Sequence, residues 1–432
     1  MNFSIYNFGC KVNQYESQVM SELMSSRGYI CTDDKENADI IILNSCTVTA
    51  VADNKVMKLI RHLRRVNNNA VIVLTGCMPQ AYPNLKESFA LVDIVLGNAM
   101  RSELPDEIEK FLANRQQIIN VHKYTKNSDF EIVSVSHFEE RTRAFVKIED
   151  GCHRYCSYCI IPYARGPVRS KPIDILQKEL EHLAKHGYKE IVLVGINLSA
   201  YGQDIGLHLC DAVECACSVN GVERVRLGSL EPERMDAFSI ERLSKLEKFC
   251  PQFHLSLQSG SDSVLKRMNR HYTAEEYFQI VQNLREKFEN CSVTTDIMVG
   301  FADETEEEFE QSLEFVKKVS FAKAHVFPYS QREGTAAAKA PNQVAQSVKS
   351  QRSKRMIEAA NESRNKFLNS QIGSKELVLF EQPATDGYWE GYTKNYTPVK
   401  VMSNTPVNGK ILEVKICGVE GDYCIGTLTC NQ

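Results

Sequence analysis

The chain has 432 residues, which at roughly 150 residues per domain suggests about three domains. Its 43% apolar and 25% charged residues are typical of a globular protein in water. The net charge of -4 gives no general preference for nucleic acid, and no apolar run approaches the ~20 residues of a membrane span. We expect a cytoplasmic protein with no membrane partner, whose clustered cysteines bind metal rather than form disulfides.

The first predicted domain, residues 1–125, alternates short apolar runs with amphipathic segments. "FSIYNFGC", "DIIILNSC" and "VIVLTGC" predict strands, and the segments between them predict helices. This order favours a parallel α/β sheet, whose strands all end along one edge. Cys10, Cys46 and Cys77 each stand at or just after the end of one strand, so we expect these thiols to meet. The alternative of three unrelated buried thiols weakens because three successive strands end on cysteine.

The second predicted domain, residues 138–368, repeats a strand followed by a helix. The predicted strands are "AFVKIED", "EIVLVG", "RVRLGSL", "HLSLQS", "VTTDIMVG" and "KAHVFPYS". Six such units fall short of the eight that close a full barrel. We therefore expect an open (β/α)6 partial barrel whose active edge is formed by the C-terminal ends of the strands.

The third predicted domain, residues 371–432, contains short β-like segments separated by Gly, Asn and Pro. This pattern favours a small antiparallel β-barrel.

Three cysteines stand close together in "DGCHRYCSYCIIPYARG", just after the first strand of the second domain. A structural zinc site or a fully ligated four-iron cluster uses four protein ligands. Cys152, Cys156 and Cys159 supply only three, which on a four-iron cluster leaves one iron open to a substrate. A zinc site with a distant fourth ligand is the alternative, and the position of the loop in a β/α repeat makes it the weaker one.

The Cys-x3-Cys-x2-Cys spacing, with Tyr158 before the last cysteine, resembles that of the radical S-adenosylmethionine (SAM) enzymes. The motifs "GCKVNQYES", "VGINLSAYG", "SLEP", "QSGSDSVLKRMNRHYT" and "FPYSQREGTAA" extend the resemblance over nearly the whole chain. They resemble the radical SAM methylthiotransferases, and within them the branch that acts on threonylcarbamoyladenosine in tRNA. Two departures are His153, where the family usually has Asn, and "GFADET" in place of GFPGET.

The resemblance implies an enzyme with SAM and two 4Fe-4S clusters as cofactors. Cys152, Cys156 and Cys159 would hold the cluster that binds and splits SAM, and Cys10, Cys46 and Cys77 would hold an auxiliary cluster carrying the sulfur. The implied partners are a tRNA anticodon stem-loop, a sulfur source and an electron donor such as flavodoxin or ferredoxin, and the third domain would be a TRAM domain. Alternative targets are isopentenyladenosine in tRNA or an aspartate of a ribosomal protein. A different class is a non-catalytic iron-sulfur RNA-binding redox regulator.

Polar residues in or near the barrel strands and the cysteine loop are the candidates for binding SAM. They are Tyr158, Gly195, Asn197, Ser229, Glu231, Gln258, Arg270 and Asp296. A glycine such as Gly195 allows close approach of the backbone to a ligand. Arg226 and Arg270 are the candidates for pairing with the SAM carboxylate.

An RNA substrate requires contacts to phosphate. Lys58, Arg61, His62 and Arg65 recur at helical spacing after Cys46 and predict a basic stripe, although a merely solvated face would look the same. A second basic group surrounds the cysteine loop and comprises Arg141, Arg143, Lys147, Arg154, Arg165, Arg169 and Lys171. The third domain has more acidic than basic residues, so exposed aromatic side chains such as Trp389 or Tyr392 would have to stack on unpaired bases.

Overall fold

The computed structural model describes residues 1–82, 89–125, 128–135 and 142–429. Within these residues the first unit is a sheet of parallel strands with helices on its faces, in the strand order β2-β1-β3-β4-β5-β6. Its elements are β1 (Asn2–Asn7), α1 (Lys11–Ser26), β2 (Ile30–Cys31), β3 (Ile40–Ser45), α2 (Ala50–Val66), β4 (Val71–Gly76), α3 (Cys77–Ala81), β5 (Ile94–Leu96), α4 (Leu104–Asn114) and β6 (Ile118–Asn120). The predicted parallel α/β sheet is confirmed.

The central strands of this sheet are buried along their whole length. Every residue of β3 and β4 is buried, as expected for parallel strands covered on both faces. Helix α2 covers one face with Val56, Ile60 and Leu63, and the Thr49 side chain caps its start by accepting from the N–H of Ala52. Because β3 lies between β1 and β4, the ends of these three strands are neighbours.

The second unit is the predicted open partial barrel. Its parallel strands run in the order β7-β10-β11 and continue through β12 to β13-β14-β15, since β11 and β12 are one strand interrupted at Gly228. Its elements are β7 (Arg143–Lys147), β8 (Glu149–Asp150), α5 (Ile161–Arg165), β9 (Arg169–Ser170), α6 (Ile173–Lys185), β10 (Glu190–Val194), α7 (Leu209–Ser218), β11 (Arg224–Leu227), β12 (Ser229–Leu230), α8 (Ala237–Ser244), β13 (Gln252–Leu255), α9 (Asp262–Arg267), α10 (Ala274–Lys287), β14 (Ser292–Val299), α11 (Glu306–Val319), β15 (Lys323–Pro328) and α12 (Gln346–Ser370). Helix α1 of the first unit packs against the open edge at β7, and α12 packs against β15.

The third unit is a closed β-barrel within the described residues, in the strand order β16-β17-β18-β20-β19. Its strands are β16 (Lys375–Pro383), β17 (Tyr388–Thr393), β18 (Pro398–Met402), β19 (Ile411–Glu420) and β20 (Tyr423–Leu428). The predicted barrel is confirmed, although β18 and β20 pair in parallel. It closes the N-terminal ends of the partial-barrel strands, where Arg224 donates to the carbonyls of Tyr392 (3.0 Å) and Leu377 (2.6 Å).

The predicted domain boundaries at 138 and 432 lie outside the described residues, and we retain those at 125, 368 and 371 as a proposal. Among the helices described above, none is both long enough and apolar enough to cross a membrane.

Candidate active site

The first three predicted ligands, Cys10, Cys46 and Cys77, lie along one edge of the N-terminal sheet, and we call them the sheet triad. Cys10 immediately precedes α1, Cys46 follows β3, and Cys77 begins α3 directly after β4. Cys46 lies close enough to Cys77 and Cys10 for their charges to affect its ionisation, and Cys77 is affected in the same way by Cys10. The structure therefore brings the three thiols together, from positions more than thirty residues apart in sequence.

Two glycines permit this convergence. A Cβ on Gly9 would lie 2.9 Å from the Cβ of Cys46, and one on Gly76 would lie 2.3 Å from the carbonyl oxygen of Ser45. Both glycines have positive φ, +127° and +96°, which side chains of L-residues disfavour. Glycine is thus required beside the thiols for both steric and conformational reasons.

The second three, Cys152, Cys156 and Cys159, lie in the loop between β8 and α5, and we call them the loop triad. The N–H of Cys159 donates to the carbonyl of Cys156 (2.9 Å), which turns the loop back on itself. The end of α9 anchors the loop, because Ser157 donates its N–H to the carbonyl of Met268 (3.0 Å). The loop triad is therefore fixed against the barrel.

The donor chemistry of both triads fits a four-iron cluster with one open iron. Burial raises the pKa of the Cys46, Cys152 and Cys159 thiols to about 12, so iron must displace their protons. Within the described part of the chain, no group of His, Cys, Asp and Glu side chains is arranged to hold a single metal ion. Three thiolates per triad suit a four-iron cluster that keeps one iron open, whereas a structural zinc site uses four protein ligands.

A buried arginine contacts each triad. Arg165 donates from Nε to the Sγ of Cys77 (3.2 Å), and Arg270 donates from Nη1 to the Sγ of Cys156 (3.3 Å). Hydrogen bonds from cations to thiolate sulfur stabilise the charge of a cluster and tune its potential. Arg270 was predicted to meet SAM, whereas Arg165 was missed as a site residue. The only indication in the sequence was that Arg165 follows Cys159 closely. That position does not show whether the arginine is buried.

A buried ionic network joins the two triad-bearing units. Glu16 of α1 pairs with Arg165, Lys147 and Arg101, and Asp150 pairs with the same three cations. Although burial opposes ionisation, Arg101 and Arg165 lower the pKa of Glu16 to about 2. Lys147 and Arg165 likewise hold the pKa of Asp150 well below its usual range against the effect of burial. Both carboxylates are therefore charged at neutral pH and hold α1 against β7 and α5.

The segment after β15 also contacts both triad-bearing regions. Arg332 donates to the Oγ1 of Thr47 (2.7 Å), the residue after Cys46, and pairs with Asp53. Five residues later, Ala337 donates its N–H to the carbonyl of Ser157 (2.8 Å) in the cysteine loop. In addition, α3 packs directly on α5. The two triads thus lie on the same side of the molecule, as the topology predicted.

The prediction that the basic group around the loop faces RNA is wrong for most of its members. Five of them are buried and bound within the protein, namely Arg143, Lys147, Arg165, Arg169 and Lys171. Arg154 pairs with Glu233, and Arg141 lies outside the described residues. A positive charge count therefore marked an internal ion-pair network, not an RNA surface.

Arg226 is also wrongly predicted as a partner of the SAM carboxylate. It lies at the opposite, lower edge of the barrel, where Nε donates to Glu190 (3.1 Å) and Nη1 to the carbonyl of Lys394 (2.9 Å). Arg226 lies within β11, before Leu227, and so does not stand at the C-terminal end of the strand where SAM would bind.

Two of the predicted SAM-binding side chains carry buried oxygen atoms without a hydrogen-bond partner among the described residues. These are Asn197 Oδ1 and Gln258 Oε1, and the neighbouring Glu149 Oε1 shares this property. Gln258 is held at φ +70°, a conformation rare outside glycine. Buried polar atoms in proteins almost always have partners, so these acceptors fit a bound ligand such as SAM.

Arg270, Glu231 and Tyr158 form a group beside the loop triad. Arg270 contacts Cys156 and pairs with Glu231. Its positive charge also acts to lower the pKa of the Tyr158 hydroxyl. Burial, the largest effect, raises the pKa of Tyr158 well above its ordinary value, so the hydroxyl stays neutral. Arg270 is therefore already engaged by a carboxylate of the protein.

The three remaining predicted residues, Gly195, Ser229 and Asp296, line the barrel lumen, a cavity of about 650 Å³. Cys10 lines the same cavity and is the only triad thiol to do so among the described residues. Asp296 pairs with the Nε2 of His254 (3.2 Å), which the sequence interpretation missed. The predicted set thus divides between the loop triad and a lumen that reaches the sheet triad.

The two departures from the family pattern leave the site intact. Asp303 has φ +61° and so occupies the left-handed conformation that glycine would otherwise take. Asn342 stabilises it by accepting the Asp303 N–H (2.9 Å) and donating to its carboxylate (2.6 Å). His153 is exposed at a small cleft that Asn197 and Glu231 also line.

Comparison with known proteins agrees with this geometry. Residues 2–97 match the uncharacterized protein family UPF0004, and residues 146–316 match the radical SAM superfamily. The chain is 37% identical over 423 residues to the threonylcarbamoyladenosine tRNA methylthiotransferase MtaB of Thermotoga maritima, covering 96% of this chain and 95% of the relative. The MtaB of Bacillus subtilis is 37% identical over 96% of this chain and 93% of its own length. This chain belongs to the radical SAM methylthiotransferase family.

As a member of this family, the protein is an enzyme whose cofactors are SAM and 4Fe-4S clusters, which removes the non-catalytic regulator as an alternative. The tRNA-2-methylthio-N(6)-dimethylallyladenosine synthase of Clostridium botulinum is also similar, at 35% identity over 96% of this chain and 94% of the synthase. Among solved structures, the radical SAM methyltransferase TsrM of Kitasatospora setae shares the fold. It has a TM-score of 0.57 at 13% identity, over 78% of this chain and 76% of TsrM.

Proposed function

We propose that this methylthiotransferase converts N6-threonylcarbamoyladenosine beside the tRNA anticodon into its 2-methylthio derivative. The observation that carries the proposal is the 37% identity to two relatives named for threonylcarbamoyladenosine, against 33% to 35% for similar relatives named for dimethylallyladenosine. The dimethylallyl nucleoside is the second candidate because those relatives match over the same length.

The proposed chemistry explains why the chain would carry two triads. The adenine C2 atom bears only a hydrogen, which is neither acidic nor a leaving group, so acid-base catalysis has no point of attack. Bound 4Fe-4S clusters and SAM supply the radical reactivity and the sulfur for transfer. In our proposal the loop triad holds the SAM-splitting cluster and the sheet triad holds the auxiliary cluster.

Neighbouring side chains would hold these groups in place. Asn197 and Gln258 would accept hydrogen bonds from SAM through their unpartnered oxygens. Arg165 and Arg270 would donate to cluster-bound sulfur, as they already do to Cys77 and Cys156. A flavodoxin or ferredoxin would supply electrons, and a separate source would supply sulfur.

Helix α2 is the part of the surface that we propose meets tRNA phosphates. The helix begins four residues after Cys46 of the sheet triad, and its Lys58, Arg61 and Arg65 are exposed with no ion pair among the described residues. His62 is not free, since it contacts Glu36 (3.1 Å). Cations in such a stripe position a nucleic acid without reading its sequence.

The aromatic side chains of the C-terminal barrel are less suited to stacking on bases than the sequence suggested. Tyr392 already stacks on Tyr396, with ring centroids 4.5 Å apart, and Arg143 lies over both rings. Trp389 is half-buried. A role of this barrel in RNA binding would therefore depend on its shape.

Mass spectrometry of tRNA nucleosides from cells lacking the protein tests the proposal. The 2-methylthio form of threonylcarbamoyladenosine should disappear while threonylcarbamoyladenosine itself remains. The 2-methylthio form of isopentenyladenosine should be unchanged, and its loss would instead support the second candidate.

A further inference from the structure

The barrel lumen contains several charged side chains, and neither Asn197 nor Gln258 is among the residues that line it. The cavity of about 650 Å³ is within the range of small-molecule sites, and residues of all three units line it. Cys10 lies at one side, the barrel strands form the wall, and Tyr392 and Tyr396 of the C-terminal barrel lie at the bottom.

Most charged groups of the lumen are paired with one another. Arg364 donates to Asp422 (2.8 Å), and His254 contacts Asp296 (3.2 Å). His254 is further fixed by a contact of its Nδ1 with Thr294 Oγ1 (3.0 Å). The carboxylates that line the cavity are therefore already engaged.

Two lysines of the lumen are not paired. Among the described residues, neither Lys11 nor Lys323 has a carboxylate within ion-pair distance or a hydrogen bond from its Nζ. Lys11 follows Cys10 directly at the start of α1, and Lys323 begins β15. Glu190 and Asp422 are close enough for their charges to interact with Lys11 and Lys323, respectively, but neither carboxylate forms a direct ion pair with its lysine.

We propose that Lys11, assisted by Lys323, forms a carboxylate-binding subsite that receives the threonyl carboxylate of the substrate nucleoside. This inference rests on the proposed function and identifies what would make the enzyme select that nucleoside. An adenine whose C2 atom lies beside the sheet triad must also lie near Cys10. Because Cys10, Lys11 and Lys323 line the same cavity, the N6 substituent of such an adenine would share that cavity with the two ammonium groups.

Selection against the dimethylallyl nucleoside follows from the same contacts. Both lysines are exposed, so an apolar N6 substituent that covered them would remove water from the ammonium groups without offering an anion, which is unfavourable. Sites that pair with a polar group of a substrate reject analogues lacking it far more strongly than apolar pockets reject an extra group. The two lysines would therefore attract the threonyl carboxylate and disfavour the dimethylallyl group.

Binding of anticodon stem-loop RNA to the reconstituted enzyme, without reductant, tests the subsite. The RNAs carry threonylcarbamoyladenosine, isopentenyladenosine or plain adenosine at the target position. The wild type should bind the first RNA most tightly, and Lys11→Met should lose that preference by about tenfold or more, as for a charge-assisted hydrogen bond. Lys11→Arg should keep most of it. Lys323→Met should lose part of the preference for the threonylcarbamoyladenosine RNA. Lys185→Met, on the outside of α6, should keep all of it.

Iron content and the KM for SAM in the cleavage reaction complete the test. Both should match the wild type in Lys11→Met, since the substitution leaves the neighbouring Cys10 thiol and the proposed SAM contacts at Asn197 and Gln258 unchanged. If Lys11→Met loses iron, Lys323→Met, which is distant in sequence from every cysteine ligand, decides the question. If Lys11→Met and Lys323→Met both still prefer the threonylcarbamoyladenosine RNA, the proposed subsite is wrong. If the variants keep that preference but have a raised KM for SAM, the lysines bind the carboxylate of SAM instead. A wild type that prefers isopentenyladenosine would contradict the proposed function itself.

Discussion

The two edges of the partial barrel satisfy their polar groups in opposite ways. At the lower edge, Arg224 and Arg226 pair with Glu190. Their other N–H groups donate to backbone carbonyls of the C-terminal barrel. At the upper edge, Asn197 and Gln258 keep buried oxygens without a partner among the described residues. An edge whose polar groups are all paired within the protein stabilises the fold. An edge that carries thiols and acceptors without partners is suited to binding a ligand.

The largest expected effect comes from removing the thiols of the sheet triad at the upper edge. A variant with Cys10, Cys46 and Cys77 all changed to Ala should lose methylthiolation completely but still cleave SAM, because the loop triad is untouched. Cys156→Ala should lose both activities. Mass spectrometry of RNA nucleosides and of 5'-deoxyadenosine separates the two outcomes, and methylthiolation by the triple variant would show that the sheet triad carries no sulfur.

The ionic network that joins the units should give the next largest effect. Arg165→Met leaves Glu16 and Asp150 buried with one cation fewer, and breaking a buried pair in this way costs about 3 to 5 kcal/mol. Denaturant unfolding of the iron-free protein measures the loss. Arg65→Met, on the exposed face of α2, is the matched control and should change stability by less than about 0.5 kcal/mol. Equal effects would mean that the network does not hold the units together.

The lower edge should respond to acid. Burial opposes ionisation, yet Arg226 and Arg143 lower the pKa of Glu190 to about 2. The stabilisation is therefore complete above the ordinary carboxyl pKa of about 4.3 and is lost as the pH falls from there to about 2. Denaturant unfolding followed by fluorescence of Trp389, the only tryptophan of the chain, reports on the C-terminal barrel.

Glu190→Gln is the comparison that isolates this group. The variant should be less stable than the wild type at pH 7, and the difference should shrink as the pH falls through the same interval. A difference that stays constant down to the lowest pH would exclude Glu190 as the acid-sensitive group of this edge.

The smallest expected effect is at the unpartnered oxygens of the upper edge. Asn197→Ala or Gln258→Ala removes one acceptor, so the KM for SAM should rise by about tenfold at most. Neither variant should lose stability in unfolding experiments, because these oxygens have no partner within the described chain. Loss of stability with an unchanged KM would make them structural groups.

The sequence predicted the parallel sheet and the convergence of the sheet-triad thiols for a physical reason. Parallel strands end along one edge, so cysteines that follow successive strands must come together whatever the details of packing. Arg165 and Arg226 were misjudged because a charged residue has the same local pattern whether it is exposed or buried. Their partners, Glu16 and Glu190, come from distant parts of the chain, and only the folded structure shows them.

The iron content of the purified, anaerobically reconstituted protein tests the central claim most directly. Two triads that each hold a four-iron cluster predict about eight irons per chain, and about four in the variant lacking the sheet triad. About four irons in both proteins would show that the sheet triad holds no cluster, and the proposed route for sulfur would be wrong.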